Sequence, residues 1–114
     1  MPPEVPTAIT KLYDLILWLL QQVPKFPRSH RFVLGERIEG LALDVLDLLI
    51  EAAYTREKRG LLRRAVLGLE KLRYLVRLSR DLSFLSSRRY EFAAGRIDEI
   101  GRMVGGWLRQ QERR

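Results

Sequence analysis

Arg73, Arg77 and Arg80 repeat at spacings of four and three, so on a helix their guanidinium groups project within one strip. Arg59 and Arg63 fall on the same side when the segment is turned at about 100° per residue, and the five together flank an apolar arc. The planar guanidinium fork pairs with phosphate or carboxylate oxygens better than an ammonium does, and arginine far outnumbers lysine here. Most charged stripes are only the solvated face of an amphipathic helix. Against that stands a shortage of acidic residues at i±4 in this segment and the next, because unbalanced arginines repel one another unless an anion lies nearby. Arg59, Arg63, Arg73, Arg77 and Arg80 are therefore the candidate set for contacting RNA or DNA, through phosphates and with little sequence specificity. A second strip, Arg88, Arg102 and Arg109, recurs at multiples of seven.

The charge is unevenly divided. From residue 56 onward there are 16 Lys/Arg against 7 Asp/Glu, a net of +9, whereas residues 1–55 carry a net of −2. The whole chain is thus +7, with an isoelectric point near 10.4. Such lopsidedness points to a polyanion or an acidic partner met by one particular surface.

Catalysis is hard to build from the remaining residues. His30 is the single histidine and sits between Ser29 and Arg31 in a proline-interrupted stretch, where a solvated or capping role is expected. Cysteine is absent, which excludes disulfides, thiolate chemistry and thiolate-bound metals. No phosphate-cradling glycine loop, nucleophile elbow or zinc spacing occurs. Asp44, Asp47 and Glu51 share a helical face, but a di-metal bundle site also needs Glu-x-x-His pairs on other helices, and none exists. These acids are expected to form a solvated face that pairs with arginines. The reading is of a chain that is not an enzyme, with no metal and no cofactor.

Four helical segments must position these residues. Apolar residues recur in threes and fours over about 7–23, 29–54, 57–82 and 87–111. Pro24 and Pro27 separate the first two segments, a turn near Thr55–Gly60 the next two, and Ser86 or Ser87 offers an N-cap for the last. The apolar stripes are Ile9, Leu12, Ile16, Leu19 and Val23; Ile38, Leu41, Val45, Leu48 and Ala52; Leu61, Leu62, Ala65, Leu69, Leu72 and Val76; and Tyr90, Ala93, Ile97, Ile100, Val104 and Trp107. Strand signals are lacking. The fold class is all-α, a single antiparallel up-down four-helix bundle over residues 1–114. Gly101 and Gly105 are expected to permit close helix approach, and Tyr74 to pack against the last helix rather than act as a stacking platform. The run Leu15–Leu20 is too short to span a bilayer and reads as a helix buried on several sides. With an acidic, proline-rich start in place of a signal sequence, the expectation is a cytoplasmic protein with no membrane contact.

Two motifs add to this reading: Phe26-Pro27-Arg28-Ser29-His30-Arg31-Phe32-Val33-Leu34-Gly35-Glu36-Arg37-Ile38, and Ile100-Gly101-Arg102-Met103-Val104-Gly105-Gly106-Trp107. Together they resemble the four-helix-bundle accessory proteins of diversity-generating retroelements, the accessory variability determinants. The likeness covers nearly the whole chain beyond its first few residues, and the Leu72–Leu82 stretch shares the family's character. The resemblance implies a non-enzymatic partner of the retroelement's reverse transcriptase, needed for mutagenic copying of a template RNA into a variable gene. It also implies a homo-oligomeric ring of five protomers whose basic surface binds nucleic acid as well as the polymerase. Arg73, Arg77 and Arg80 match the family's basic positions, and Arg102 falls in the terminal motif.

A sister group, encoded within intervening sequences of 23S ribosomal RNA genes, is similar in fold and supplies the alternative, an RNA-associated bundle. Its second helix opens with a Ser-x-Pro-x-Asn-x-Ala-Glu-Gly pattern, of which this chain keeps only Glu39-Gly40. That departure favours the retroelement branch. A metal enzyme built on Asp44, Asp47 and Glu51 is the third reading, from a different class.

Overall fold

The computed structural model describes residues 6–113; the acidic start at residues 1–5 and Arg114 lie outside them. Among the described residues there are four long helices and no strand. They are α1 (Thr7–Gln22), α2 (Glu36–Tyr54), α3 (Arg59–Asp81) and α4 (Ser87–Glu112). Helix α1 packs against α2 and α4, and α3 packs against the same two, so each helix has two neighbours around one core. The result is an all-helical bundle of 46 × 21 × 20 Å.

Helical periodicity explains the core directly. Leu12 on α1, Ile38 and Leu49 on α2, Leu62, Leu69 and Leu72 on α3, and Ile97 and Ile100 on α4 are fully buried. Each such side chain contributes about 1.5–3 kcal/mol relative to an exposed one. The stripes on α1, α3 and α4 hold, with Ile9, Leu61, Tyr90 and Trp107 at their edges only partly buried. On α2 Ile38, Val45 and Ala52 of the expected stripe are buried, Ala42 and Leu49 are buried beside them, and Leu41 and Leu48 are only partly so. Helix α1 also departs from its reading. Leu15, Ile16 and Leu19 are buried, but Leu17 and Leu20 face outward, because α1 has only two neighbouring helices to cover it.

The connections are specific. After α1 comes a 3-10 turn, Val23–Lys25, with Pro24 inside it. A single α turn, Arg28–His30, then runs into a π turn, Arg31–Gly35, before α2 begins. The expected start near residue 29 is therefore met by a helix whose first turns are over-wide, a geometry that commonly marks functional places. Gly35 is required in this corner: a Cβ there would stand 2.6 Å from Val23 Cγ1. Phe26 is buried beneath the turn and packs at a tilt against Phe84, with ring centroids 5.6 Å apart and planes inclined by 45°.

Helix α2 stops at Thr55, whose backbone is extended. Lys58 Nζ donates to the carbonyl oxygens of Ala52 (2.6 Å) and Thr55 (2.5 Å), capping that end with a positive charge. Helix α3 starts two residues later than the periodicity suggests, at Arg59. Its far end closes with Ser83 in the left-handed region at φ 66°. The amide of Phe84 donates to Ser79 O at 2.8 Å and that of Ser83 to Arg80 O at 2.8 Å, the paired bonds of a Schellman termination. Ser86 then caps α4 by accepting from the Arg89 amide at 3.1 Å.

Glycine does not act where the sequence suggests. An added Cβ at Gly101 would meet nothing within 4 Å, and at Gly105 only the Arg109 guanidinium at 3.5 Å. The close approach is at Gly68, where a Cβ would lie 2.6 Å from Val45 Cγ2 across the α2–α3 contact.

Candidate functional site

Along α3 each of three arginines follows a fully buried residue: Leu72 then Arg73, Val76 then Arg77, Ser79 then Arg80. The buried residue sets the face, and the next side chain, about 100° further round, emerges at the edge of the α3–α4 contact. Ser79 can occupy its buried place because its hydroxyl donates to Leu75 O at 2.9 Å. Arg73, Arg77 and Arg80 consequently line one open cavity of about 310 Å³ together with Tyr74 and Tyr90.

Of the five arginines singled out from sequence, the fold gathers these three and leaves two elsewhere. Arg59 Nη2 lies 3.8 Å from Glu57 Oε2 at the start of α3. Arg63 Nη2 donates to Glu112 Oε2 at 3.3 Å. From Arg63 to Arg77 the helix rises roughly 21 Å, so these two cannot share the cavity. Arg102 and Arg109 are exposed and line a different groove on α4, about 430 Å³, with Glu70 and Asp98 among its walls.

The arginines are not as unbalanced as the sequence suggests. Arg73 Nε lies 2.9 Å from Asp98 Oδ1, and its Nη2 donates to Oδ2 at 3.4 Å. Arg80 donates from Nε (3.1 Å) and Nη2 (2.9 Å) to Asp81 Oδ1, and Arg77 Nε stands 3.9 Å from Asp81 Oδ2. An i±4 search along α3 finds only the last of these, since the other partners are the adjacent residue and a carboxylate on α4. Two carboxylates thus serve three guanidiniums at the cavity. Arg77 is the most weakly held, by one long contact, and its side chain is 57% exposed.

Tyr90 enters the site unannounced by its position on the α4 stripe. Its ring is half-buried beneath Arg80, whose guanidinium carbon sits 4.3 Å from the ring centroid. Tyr74 does not pack against α4 as expected but is 66% exposed. Chemically, the arrangement offers guanidinium donors for phosphate or carboxylate oxygens beside aromatic faces.

A family model described as bAvd-like matches residues 8–111, and so takes in all four helices nearly end to end. The chain belongs to the bAvd-like family. A search of curated proteins finds no match.

Two further places in this bAvd-like chain bear on the sequence reading. His30 is exposed, its Nδ1 is 3.0 Å from Ser29 Oγ, and its ring lies against Phe84 with centroids 4.8 Å apart. Asp44, Asp47 and Glu51 are exposed on α2, with Asp44 bordering a groove beside Lys71. Among the described residues no group of three or more carboxylate or imidazole side chains is arranged to hold a metal ion. No described helix is long and apolar enough to cross a membrane.

Proposed function

We propose that this chain is a non-enzymatic accessory protein of a diversity-generating retroelement. It binds the element's reverse transcriptase and, through the Arg73–Arg77–Arg80 surface, its template RNA or the complementary DNA, supporting mutagenic copying in the cytoplasm. The observation that carries the reading is the convergence of three arginines on one open cavity in a chain of the bAvd-like family. Family membership supports the accessory role, and the solvent-accessible guanidiniums, Arg77 the most exposed of them, support phosphate contact.

The bundle has up-down order in this reading. Arg63 meets Glu112 while Arg73 meets Asp98, and this rise of numbers along α3 against a fall along α4 supports antiparallel packing of that pair. Protomers assemble into a homo-oligomeric ring, with five as the number implied by the family resemblance. Outward apolar side chains support assembly: Tyr13, Leu17 and Leu20 on α1, and Leu43 and Ile50 on α2, each at least 41% exposed.

The test is co-purification of the tagged chain with the reverse transcriptase encoded nearest its gene, with nuclease treatment as control. A nuclease-resistant complex is the expected result. Failure to associate, with both proteins folded, overturns the polymerase contact and leaves the 23S intervening-sequence type of RNA-associated bundle as the better description.

A further inference from the structure

We infer that the α3 cavity is built for a single unpaired nucleotide, so that the protein distinguishes single-stranded from duplex nucleic acid at Tyr74. This rests on the nucleic-acid reading above and adds to it which form of the polymer is held and by what contact.

Three observations carry it. First, Tyr74 is among the most exposed large apolar side chains on α3, at 66%, and an aromatic face left open among arginines has no partner in the core to explain it. Second, Tyr74 borders two depressions at once. On one side is the cavity of about 310 Å³ with Arg73, Arg77, Arg80 and Tyr90. On the other is a groove of about 630 Å³ whose walls include Glu36, Arg37, Leu41, Asp44, Lys71 and Leu75. The ring is therefore a ridge between two hollows: the smaller has arginines as its only charged walls, and in the larger Arg37 and Lys71 are matched by Glu36 and Asp44. Third, Arg80 is already seated over Tyr90, so one wall of the smaller hollow is pre-arranged before any ligand arrives.

A flexible strand can use all three features. Its backbone runs along the smaller hollow with phosphates toward Arg73, Arg77 and Arg80, while a splayed base lies flat on Tyr74 at the rim. A duplex cannot. Its bases are stacked inside the helix, so it reaches the guanidiniums through phosphates and leaves the tyrosine face to water. The smaller cavity is also at the low end of the volumes that hold small ligands, which suits one nucleotide and not a stacked pair. Asp81 and Asp98 keep the guanidiniums oriented but do not cover Tyr74.

The experiment compares the full-length protein with Tyr74→Ala and Tyr74→Phe. Fluorescence anisotropy measures binding of a labelled twelve-nucleotide single strand and of the same sequence as a blunt duplex, at one salt concentration. A 2-aminopurine base in the single strand reports stacking by quenching. The expected result is quenching by the unmodified protein, an affinity loss on the order of tenfold for Tyr74→Ala on the single strand, and no comparable loss on the duplex. Tyr74→Phe keeps both the quenching and the affinity. Because Tyr74 is largely exposed, helical circular dichroism stays native in both variants. Equal effects of Tyr74→Ala on strand and duplex, or none on either, overturn the inference while leaving phosphate binding standing. If the unmodified protein binds neither polymer, the nucleic-acid reading falls and this inference falls with it.

Discussion

Asp98 on α4 grips Arg73 on α3 edge-on, with Nε 2.9 Å from Oδ1 and Nη2 donating to Oδ2 at 3.4 Å. Both side chains are about two-fifths exposed, so the pair costs little to break and leaves the guanidinium open to competition from another anion. The carboxylate aims the arginine at the cavity and also opposes the ligand that would use it.

Asp98→Asn should therefore raise affinity for a single-stranded oligonucleotide, by up to about fivefold, since an exposed pair is worth at most about 1 kcal/mol. Anisotropy titration at low salt measures this, and thermal unfolding should show almost no change. A fall in affinity with intact folding would mean that Asp98 positions Arg73 more than it competes for it.

Substitution at Arg77 should change the salt dependence more than any structural property. Each phosphate that the protein no longer neutralises flattens the plot of log affinity against log salt by about 0.7 for a single strand and about 0.9 for a duplex. Arg77→Gln should show that change, and Arg63→Gln, held by Glu112 at a distance from the cavity, should not. Replacing Arg73, Arg77 and Arg80 together by glutamate should abolish binding with the helical spectrum retained. An unchanged slope in Arg77→Gln places the phosphate contacts elsewhere.

Two glycines should respond in opposite directions to the same change. Gly68→Ala drives a methyl group against Val45 and should destabilise by about 1–3 kcal/mol. Gly101→Ala meets open space on a helix and should stabilise by about 0.4–1 kcal/mol. Chemical denaturation of the two variants side by side decides this.

Ser83→Gly should stabilise the protein by about 1 kcal/mol, because the left-handed backbone there penalises any Cβ. The thermal midpoint is the readout. A lower midpoint would show that the serine side chain compensates for its own backbone.

The helices and most of the core were legible because burial in a bundle follows a 3.6-residue period. Leu12, Ile16 and Leu19, or Leu62, Ala65, Leu69, Leu72 and Val76, could hardly be placed otherwise. The grouping of Arg73, Arg77 and Arg80 was legible for the same reason. What surrounds them was not: Asp98 lies 25 residues from Arg73, so pairing across helices is invisible to an i±4 rule. Tyr90 looked like one more core residue, and its role under Arg80 depends on where Ser86 starts α4. The left-handed turn at Ser83 had no glycine to announce it. The two prolines marked an interruption before α2, but a π turn has no residue signature that sets it apart from a helix start.

That π turn, Arg31–Gly35, makes chain length a structural variable at one point of the molecule. Removing a single residue between Arg31 and Gly35 would let the wide turn close to an ordinary α turn and leave what precedes it facing α2 much as before, because the extra residue is taken up inside that one turn. Phe26 would keep its place against Phe84, whereas a residue removed from the regular part of α2 would turn the preceding segment by about 100° and carry Phe26 off that ring. The segment at residues 55–58, which has no helical register to keep, can gain or lose a residue without any such rotation.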